Sequence, residues 1–333
     1  MSRRKKFRVA ITNPYVSPVD IERRILGAVA EILVTDRAIT TERELLSFAG
    51  DCNALMLGVT EPITRRVIQS MPNLRILSRY GIGVDNVDIA AATEKGIMVT
   101  NVPDFGLDEV ADHAFALLLA ITRRLPLIDR AVRQGKWLGD VQKLVGPINS
   151  PSTQTLGLLG FGNIAKRVAL RAKPFGYRII AYDPWVKRWE FSLLGVERVA
   201  TLEELLSRSD AISIHVSLSQ SSRRMIGREQ LRMMKSGAVL VNTSRGQIID
   251  QAALCEALRG GRIAGAALDV FEEEPLTHEI PLVGLENTIL TPHISWYTVQ
   301  SRDRLKTETA TAVADCLEGK VPEFLVNPEV ARS

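Results

Sequence analysis

Residues 155–184, TLGLLGFGNIAKRVALRAKPFGYRIIAYDP, constrain the fold of this chain more than any other stretch. The apolar run 156–159 fits a buried parallel strand, and it meets Gly160-Phe161-Gly162-Asn163-Ile164-Ala165. Ile164, Val168 and Ala172 then recur at helical spacing, and a second apolar run, 177–182, ends at Asp183. The pattern predicts a βαβ unit with a glycine-rich first turn and an acid at the tip of the second strand. Gly160 allows the tight turn, Gly162 admits a pyrophosphate close to the backbone, and the small Ala165 lets helix and strand pack closely. The first helical N–H groups, at Asn163 and Ile164, would face the anion. Asp183 would accept hydrogen bonds from the adenosine ribose and repel a 2′-phosphate. A glycine turn alone says little. Strand, glycines, small residue, helix, strand and acid in this order point to a dinucleotide site, for NAD rather than NADP.

At 333 residues the chain is long for one domain and comfortable for two. Its 46% hydrophobic and 24% charged residues are those of an ordinary globular protein. No apolar run reaches the roughly 18 residues of a membrane span, and the charged start 1–6 leads straight into a strand without a signal-peptide core. These features predict a cytoplasmic protein with no membrane partner. The net charge of +4 has its only dense basic run in that start, so no nucleic-acid partner is expected. Cys52, Cys255 and Cys316 are odd in number and widely spaced; they suit a reducing compartment and suggest no metal site.

The first hundred residues alternate apolar runs with helical patterns: strands at 7–12, 55–59, 75–78 and 95–101, helices at 18–29 and 63–70. The turn Gly81-Ile82-Gly83-Val84 after the third run exposes backbone N–H groups. By itself it reads equally as a plain turn or as a seat for a carboxylate. Residues 108–124 form the strongest helix, acidic at its start and basic at its end. It is apolar nearly all round after His113, so burial between domains or subunits is expected; His113 reads as a structural hydrogen-bonder. Residues 135–151 read as a loop-rich arm. Beyond Asp183, helices are predicted at 202–207, 229–234, 251–258 and 304–317, and strands at 211–216, 238–242, 264–268 and 288–291. His215, Arg245, Asp269 and His293 each fall at or just past the end of one of those strands. In a doubly wound parallel sheet those ends line the ligand crevice.

The stretches RYGIGVDNVDIAAATEKGI, TLGLLGFGNIAKRVA, AVLVNTSRGQIID, GAALDVFEEEP and ILTPHIS resemble the D-isomer-specific 2-hydroxyacid dehydrogenases over nearly the whole length. Within that family the chain is most similar to the branch of the C-terminal-binding proteins and the phosphoglycerate dehydrogenase-like enzymes. LVNTSRG, GVERVATLEELL and His293-Ile294-Ser295-Trp296-Tyr297 carry that likeness. The resemblance implies an α/β fold of two Rossmann-like parallel-sheet domains with a cleft between them. The substrate domain would comprise 1–107 and 299–333, and the NAD-binding domain 108–298. It also implies hydride transfer between NAD(H) and a small 2-hydroxy or 2-oxo acid, and a homodimer built through 108–150.

Three residues match the family's catalytic positions: Arg245 in NTSRG, Glu274 before the proline of FEEEP, and His293 in TPH. Alone, each reads equally well as a surface ion-pairer, one of an acidic trio, or a loop histidine. The implied chemistry asks for these types. A guanidinium can hold a carboxylate and polarise the neighbouring ketone, and a histidine can give the proton. A carboxylate can orient that histidine and favour its charged form. By the same resemblance His215, Val216, Ser217, Ser222 and Thr243 take cofactor-contacting positions, and Asp269 is a second acid near the nicotinamide and the histidine. Ile82, Gly83 and Val84 would greet the substrate carboxylate, and Trp296 would wall the pocket. Ala165 in place of the third glycine is a mild departure; Ser217 in place of a proline unsettles one nicotinamide contact. With the sequence ending soon after Pro328, no appended regulatory domain is expected. The family's co-repressor branch keeps the same three residues, so an NAD-sensing protein-binding module is the alternative reading.

Overall fold

Apolar runs too short to be helices become two parallel sheets in the computed structural model, which describes residues 6–13, 17–276 and 280–332. The charged start 1–5 lies outside the described residues. The chain forms two compact units, one of residues 1–106 and 298–333, the other of residues 107–297.

The first unit holds β1 (Phe7–Ile11), β2 (Ala30–Val34), β3 (Ala54–Leu57), β4 (Ile76–Arg79) and β5 (Met98–Thr100), all parallel in the order β2-β1-β3-β4-β5. β3 and β4 are buried along their whole length; β3 therefore appears as an unbroken apolar run, while β4 ends on the buried Ser78 and Arg79. The C-terminal helix Val299–Leu317 returns to this sheet, where Ser78 Oγ donates to the Thr309 carbonyl at 3.1 Å. Asn327 Oδ1 accepts the Val99 N–H at 2.8 Å and ties the tail to β5.

Strand β2 and helices Glu42–Ala49 and Ile89–Glu94 of this unit escape the periodicity. β2 carries Glu31 at its second position because it is an edge strand with one side open. Helix Glu42–Ala49 is announced only by its cap, in which Thr41 Oγ1 accepts the Glu44 N–H and donates to the Glu44 carboxylate at 2.9 Å. The last helix also begins earlier than 304, at Val299, because Thr298 caps it through the Ser301 N–H at 3.0 Å.

The second unit holds β6 (Thr155–Leu159), β7 (Arg178–Tyr182), β8 (Glu197–Arg198), β9 (Ala211–Ile214), β10 (Val239–Asn242), β11 (Gly265–Leu268) and β12 (Thr288–Leu290). All pairs are parallel, in the order β12-β11-β10-β9-β6-β7-β8. The order reverses between β6 and β9, and ligands bind doubly wound sheets at such a switch point.

Helix Leu107–Thr122 differs from its expectation. Ala111, Phe115, Leu118 and Ile121 pack into one core with Leu156, Leu158, Val168, Val241 and Ala267, so its apolar face is spent on the sheet of its own unit. Arg124 lies past its end in a left-handed conformation and opens helix Leu125–Arg133. The expected loop at 135–151 contains helix Leu138–Val145. Trp137, Leu138 and Leu144 are exposed there, with Leu125 and Val132 in the helix before.

Candidate active site

β6 runs into Gly160, whose φ of +87° and tight surroundings leave room for no side chain: a Cβ would meet the His215 carbonyl carbon and Val216 Cγ1 at 2.9 Å. This approach holds the glycine turn against the end of β9. The next glycine is placed differently. A Cβ on Gly162 would meet nothing within 4 Å, and Gly162 heads helix Asn163–Ala172 without a side-chain cap. An open backbone cradle at an uncapped first turn fits the pyrophosphate of a dinucleotide, with the Asn163 and Ile164 N–H groups as donors. Thr243, just past β10, adds a buried hydroxyl that meets no partner among the described residues.

Asp183 does more than the sequence suggests. Its Oδ2 accepts the Phe161 N–H at 2.9 Å, and its Oδ1 accepts the N–H groups of Trp185 at 2.9 Å and Val186 at 3.2 Å. The carboxylate therefore staples the glycine turn to the tip of β7. Ser222, buried, donates to the Ser217 carbonyl at 2.7 Å and accepts the Ser219 N–H at 2.8 Å, so it shapes the loop after β9 from within. Ser217 itself is exposed. His215 pairs its Nε2 with Ser213 Oγ at 2.9 Å, and burial pushes its pKa down to about 3, so the ring stays neutral.

The ends of β10, β11 and β12 gather the other candidates. Asn242 is fully buried; its Nδ2 donates to the Arg245 carbonyl at 2.9 Å and its Oδ1 accepts from the Ser244 N–H and hydroxyl, both at 3.0 Å. It winds the turn that presents Arg245, whose half-buried guanidinium donates to the Ser244 carbonyl at 2.8 Å. Gly246 then passes against the next loop, where a Cβ would lie 1.9 Å from the Phe271 carbonyl carbon. From that loop Glu274 Oε1 accepts the Phe271 N–H at 3.0 Å, and Glu274 Oε2 meets His293 Nδ1 at 2.7 Å.

His293 has a φ of +53°, a left-handed conformation that typically costs a side-chain-bearing residue about 1–3 kcal/mol. Three bonds hold it: its N–H donates to the carbonyls of Asp269 at 2.7 Å and Thr291 at 3.1 Å, and Trp296 Nε1 donates to its carbonyl at 3.1 Å. Asp269, expected as a cofactor contact, has no exposed surface. Its carboxylate accepts from the Thr291 hydroxyl at 2.5 Å, the Ile294 N–H at 3.0 Å and the Ser295 N–H at 2.9 Å. It is turned inward because the loop that carries His293 needs it.

Ile82, Gly83 and Val84 belong to the first unit. They form the half-buried turn after β4, held where Asn101 Nδ2 donates to the Ile82 carbonyl at 2.7 Å. Among the described residues no cluster of three or more His, Cys, Asp or Glu could hold a metal, and no helix is long and apolar enough to cross a membrane.

Residues 115–295 match the family model for the NAD-binding domain of D-isomer specific 2-hydroxyacid dehydrogenases. A glyoxylate reductase of Korarchaeum cryptofilum is 44% identical over 298 residues, 89% of this chain and 89% of the relative. The chain belongs to that dehydrogenase family. It is an oxidoreductase that uses NAD. The dehydrogenase is also 40% identical over 304 residues to a D-3-phosphoglycerate dehydrogenase of Methanocaldococcus jannaschii, covering 91% of its own length and 57% of that relative. Among solved structures, a D-lactate dehydrogenase of Aquifex aeolicus, complexed with NAD and lactic acid, superposes with a TM-score of 0.85 at 28% identity, covering 96% of the dehydrogenase and 99% of that chain.

Sequence reasoning missed Asn242, Gly246 and Thr291 in the dehydrogenase. Asn242 and Gly246 lie inside the quoted NTSRG motif, which was the available signal. Thr291 precedes the proline of TPH, and only its contact with Asp269 shows its place.

Proposed function

We propose that this dehydrogenase reduces a small 2-oxo acid to its D-2-hydroxy acid with NADH, glyoxylate and its near homologues being the substrate class. The contact of 2.7 Å between His293 Nδ1 and Glu274 Oε2 carries the reading. A histidine that spends Nδ1 on a carboxylate keeps Nε2 for the substrate, in a fixed orientation. The bound cofactor supplies the hydride. His293 gives the Nε2 proton to the ketone oxygen as that oxygen gains charge, and in the reverse direction takes it back from the alcohol. Arg245 holds the substrate carboxylate and polarises the ketone through its planar fork of donors. Asn242 and Gly246 fix the turn from which Arg245 projects.

Glyoxylate is favoured because several relatives that share about two-fifths of the residues over most of the chain are named glyoxylate reductases. Asp183 supports NAD over NADP, since a charged carboxylate at the tip of β7 repels a 2′-phosphate. The exposed apolar residues of 125–145, within the expected 108–150 interface, support a homodimer.

The test is NADH oxidation, followed at 340 nm, against glyoxylate, hydroxypyruvate, phosphohydroxypyruvate and a bulkier 2-oxo acid. Turnover of glyoxylate or hydroxypyruvate at the highest kcat/KM is expected. Tight NADH binding without turnover of any of the four would defeat the reading. Asp183→Ala should narrow the preference for NADH over NADPH, and equal use of the two cofactors by the unmodified enzyme would remove Asp183 from its role.

A further inference from the structure

One histidine beside this loop takes no part in the chemistry above. His113 lies in helix Leu107–Thr122, and its Nε2 stands 3.1 Å from Thr291 Oγ1 and 3.8 Å from Asp269 Oδ1. Thr291 has one hydroxyl proton. Its contact of 2.5 Å with the Asp269 carboxylate is the short, charge-assisted one, so the proton points there. The hydroxyl oxygen then accepts from His113, which fixes the tautomer with the proton on Nε2.

The line His113, Thr291, Asp269 ends on the loop of the proton donor. Asp269 is wholly buried and gathers residues 291, 293, 294 and 295: the Thr291 hydroxyl and the Ile294 and Ser295 N–H groups on its carboxylate, the His293 N–H on its carbonyl. His293 needs that grip because its backbone is left-handed, a conformation that persists only where the surroundings over-determine it. The sequence places His113 about 180 residues upstream of His293, on an element that contributes nothing to the candidate chemistry.

We propose that His113 is a positioning residue for proton transfer: by donating to Thr291 it sets the hydroxyl that orients the Asp269 carboxylate, and through it the backbone on which His293 stands. This rests on the reading of His293 as the acid–base residue. Loss of the donor lets the carboxylate turn and the 291–295 loop relax. The effect falls on kcat, since a displacement of about 1 Å at a reacting group costs about 10²-fold, while the glycine turn that holds the cofactor is untouched.

The experiment compares His113→Leu, His113→Gln, Thr291→Val, the double variant His113→Leu/Thr291→Val and His293→Ala, each as the full chain with NADH and the 2-oxo acid that the unmodified enzyme turns over fastest. Glutamine places an N–H near the position of Nε2, so it should restore most of the activity that leucine removes. His113→Leu and Thr291→Val should each lower kcat about 10–100-fold, with NADH Kd by fluorescence unchanged. The double variant should be no worse than the poorer single one, because both cut the same line. Full kcat in His113→Leu overturns the proposal, as does additivity in the double variant. Equal loss in His113→Gln and His113→Leu also overturns it, since that marks mere packing. An active His293→Ala defeats the acid–base reading itself, and this proposal with it. An inactive His293→Ala beside a fully active His113→Leu defeats the proposal alone.

Discussion

Replacing Gly246 by alanine tests the geometry that brings Arg245 to the Glu274 loop. The added Cβ would lie 1.9 Å from the Phe271 carbonyl carbon, 2.0 Å from its oxygen and 2.4 Å from its Cα, all backbone atoms that no rotamer change can move. Carbon atoms in contact sit about 3.5 Å apart, so the two loops must separate by about 1.6 Å. Arg245 is the residue before Gly246. Phe271 anchors Glu274 through the bond of 3.0 Å from its N–H to Oε1, and Glu274 in turn holds His293. The separation therefore pulls the guanidinium away from the imidazole.

At about 10²-fold per ångström of misplacement, kcat for 2-oxo acid reduction should fall by at least about 10²-fold. Overpacking of this kind costs about 1–3 kcal/mol, which for a unit of this size lowers Tm by several degrees. The chain should thus stay folded and bind NADH. Rates would be read from the loss of NADH absorbance at saturating substrate, with Tm by calorimetry and NADH affinity by fluorescence. A folded Gly246→Ala enzyme with kcat within about threefold of the parent would refute the reasoning.

His293→Ala should lose about 10²–10⁴-fold in kcat, the usual contribution of a general acid, with NADH affinity retained; a smaller loss would place the proton elsewhere. His215 links stability to pH: it is neutral when folded, with its pKa near 3, but takes up a proton below about 6.5 when unfolded. Its contribution is complete above pH 6.5 and drains away by about 1.4 kcal/mol per unit as pH falls towards 3. Urea midpoints should therefore fall less steeply between pH 6.5 and 4 in His215→Asn than in the parent; parallel lines would reject the assignment. The exposed Trp137 and Leu138 should be covered in a homodimer, so light scattering should report twice the chain mass, falling to one chain in a Trp137→Asp/Leu138→Asp variant. A stable monomer of the unmodified chain at micromolar concentration would contradict this.

The legible part of the fold followed burial. Strands covered on both faces, such as Leu55 to Leu57 or Leu156 to Leu159, are predominantly apolar and so announce themselves. β2 did not, because an edge strand tolerates Glu31. The 138–145 helix was hidden because Gly135 and Gly146 flank it and its two leucines, Leu138 and Leu144, face outward. Helix Leu107–Thr122 was legible as a helix, and its packing on the sheet of its own unit was not: a helix apolar on most sides states that it is buried, not by what.

The sequence by itself determined the kinds of chemistry present. Glycines at 160 and 162, an acid at 183, and arginine, glutamate and histidine at 245, 274 and 293 stand in recognisable local order, since a turn or a strand end is a property of neighbouring residues. By residue types and spacing alone it could not decide which acid serves what; only the family resemblance assigned Glu274 to the histidine. Asp269 and Glu274 are five residues apart on one loop, yet one faces inward to hold a backbone and the other meets the imidazole. Nor could it connect His113 to Thr291, or show that Gly246 is required by the backbone of Phe271. Those relations exist only once parallel strands far apart in the chain lie side by side and their ends meet, because hydrogen bonding and steric exclusion act across space and leave no mark on sequence spacing.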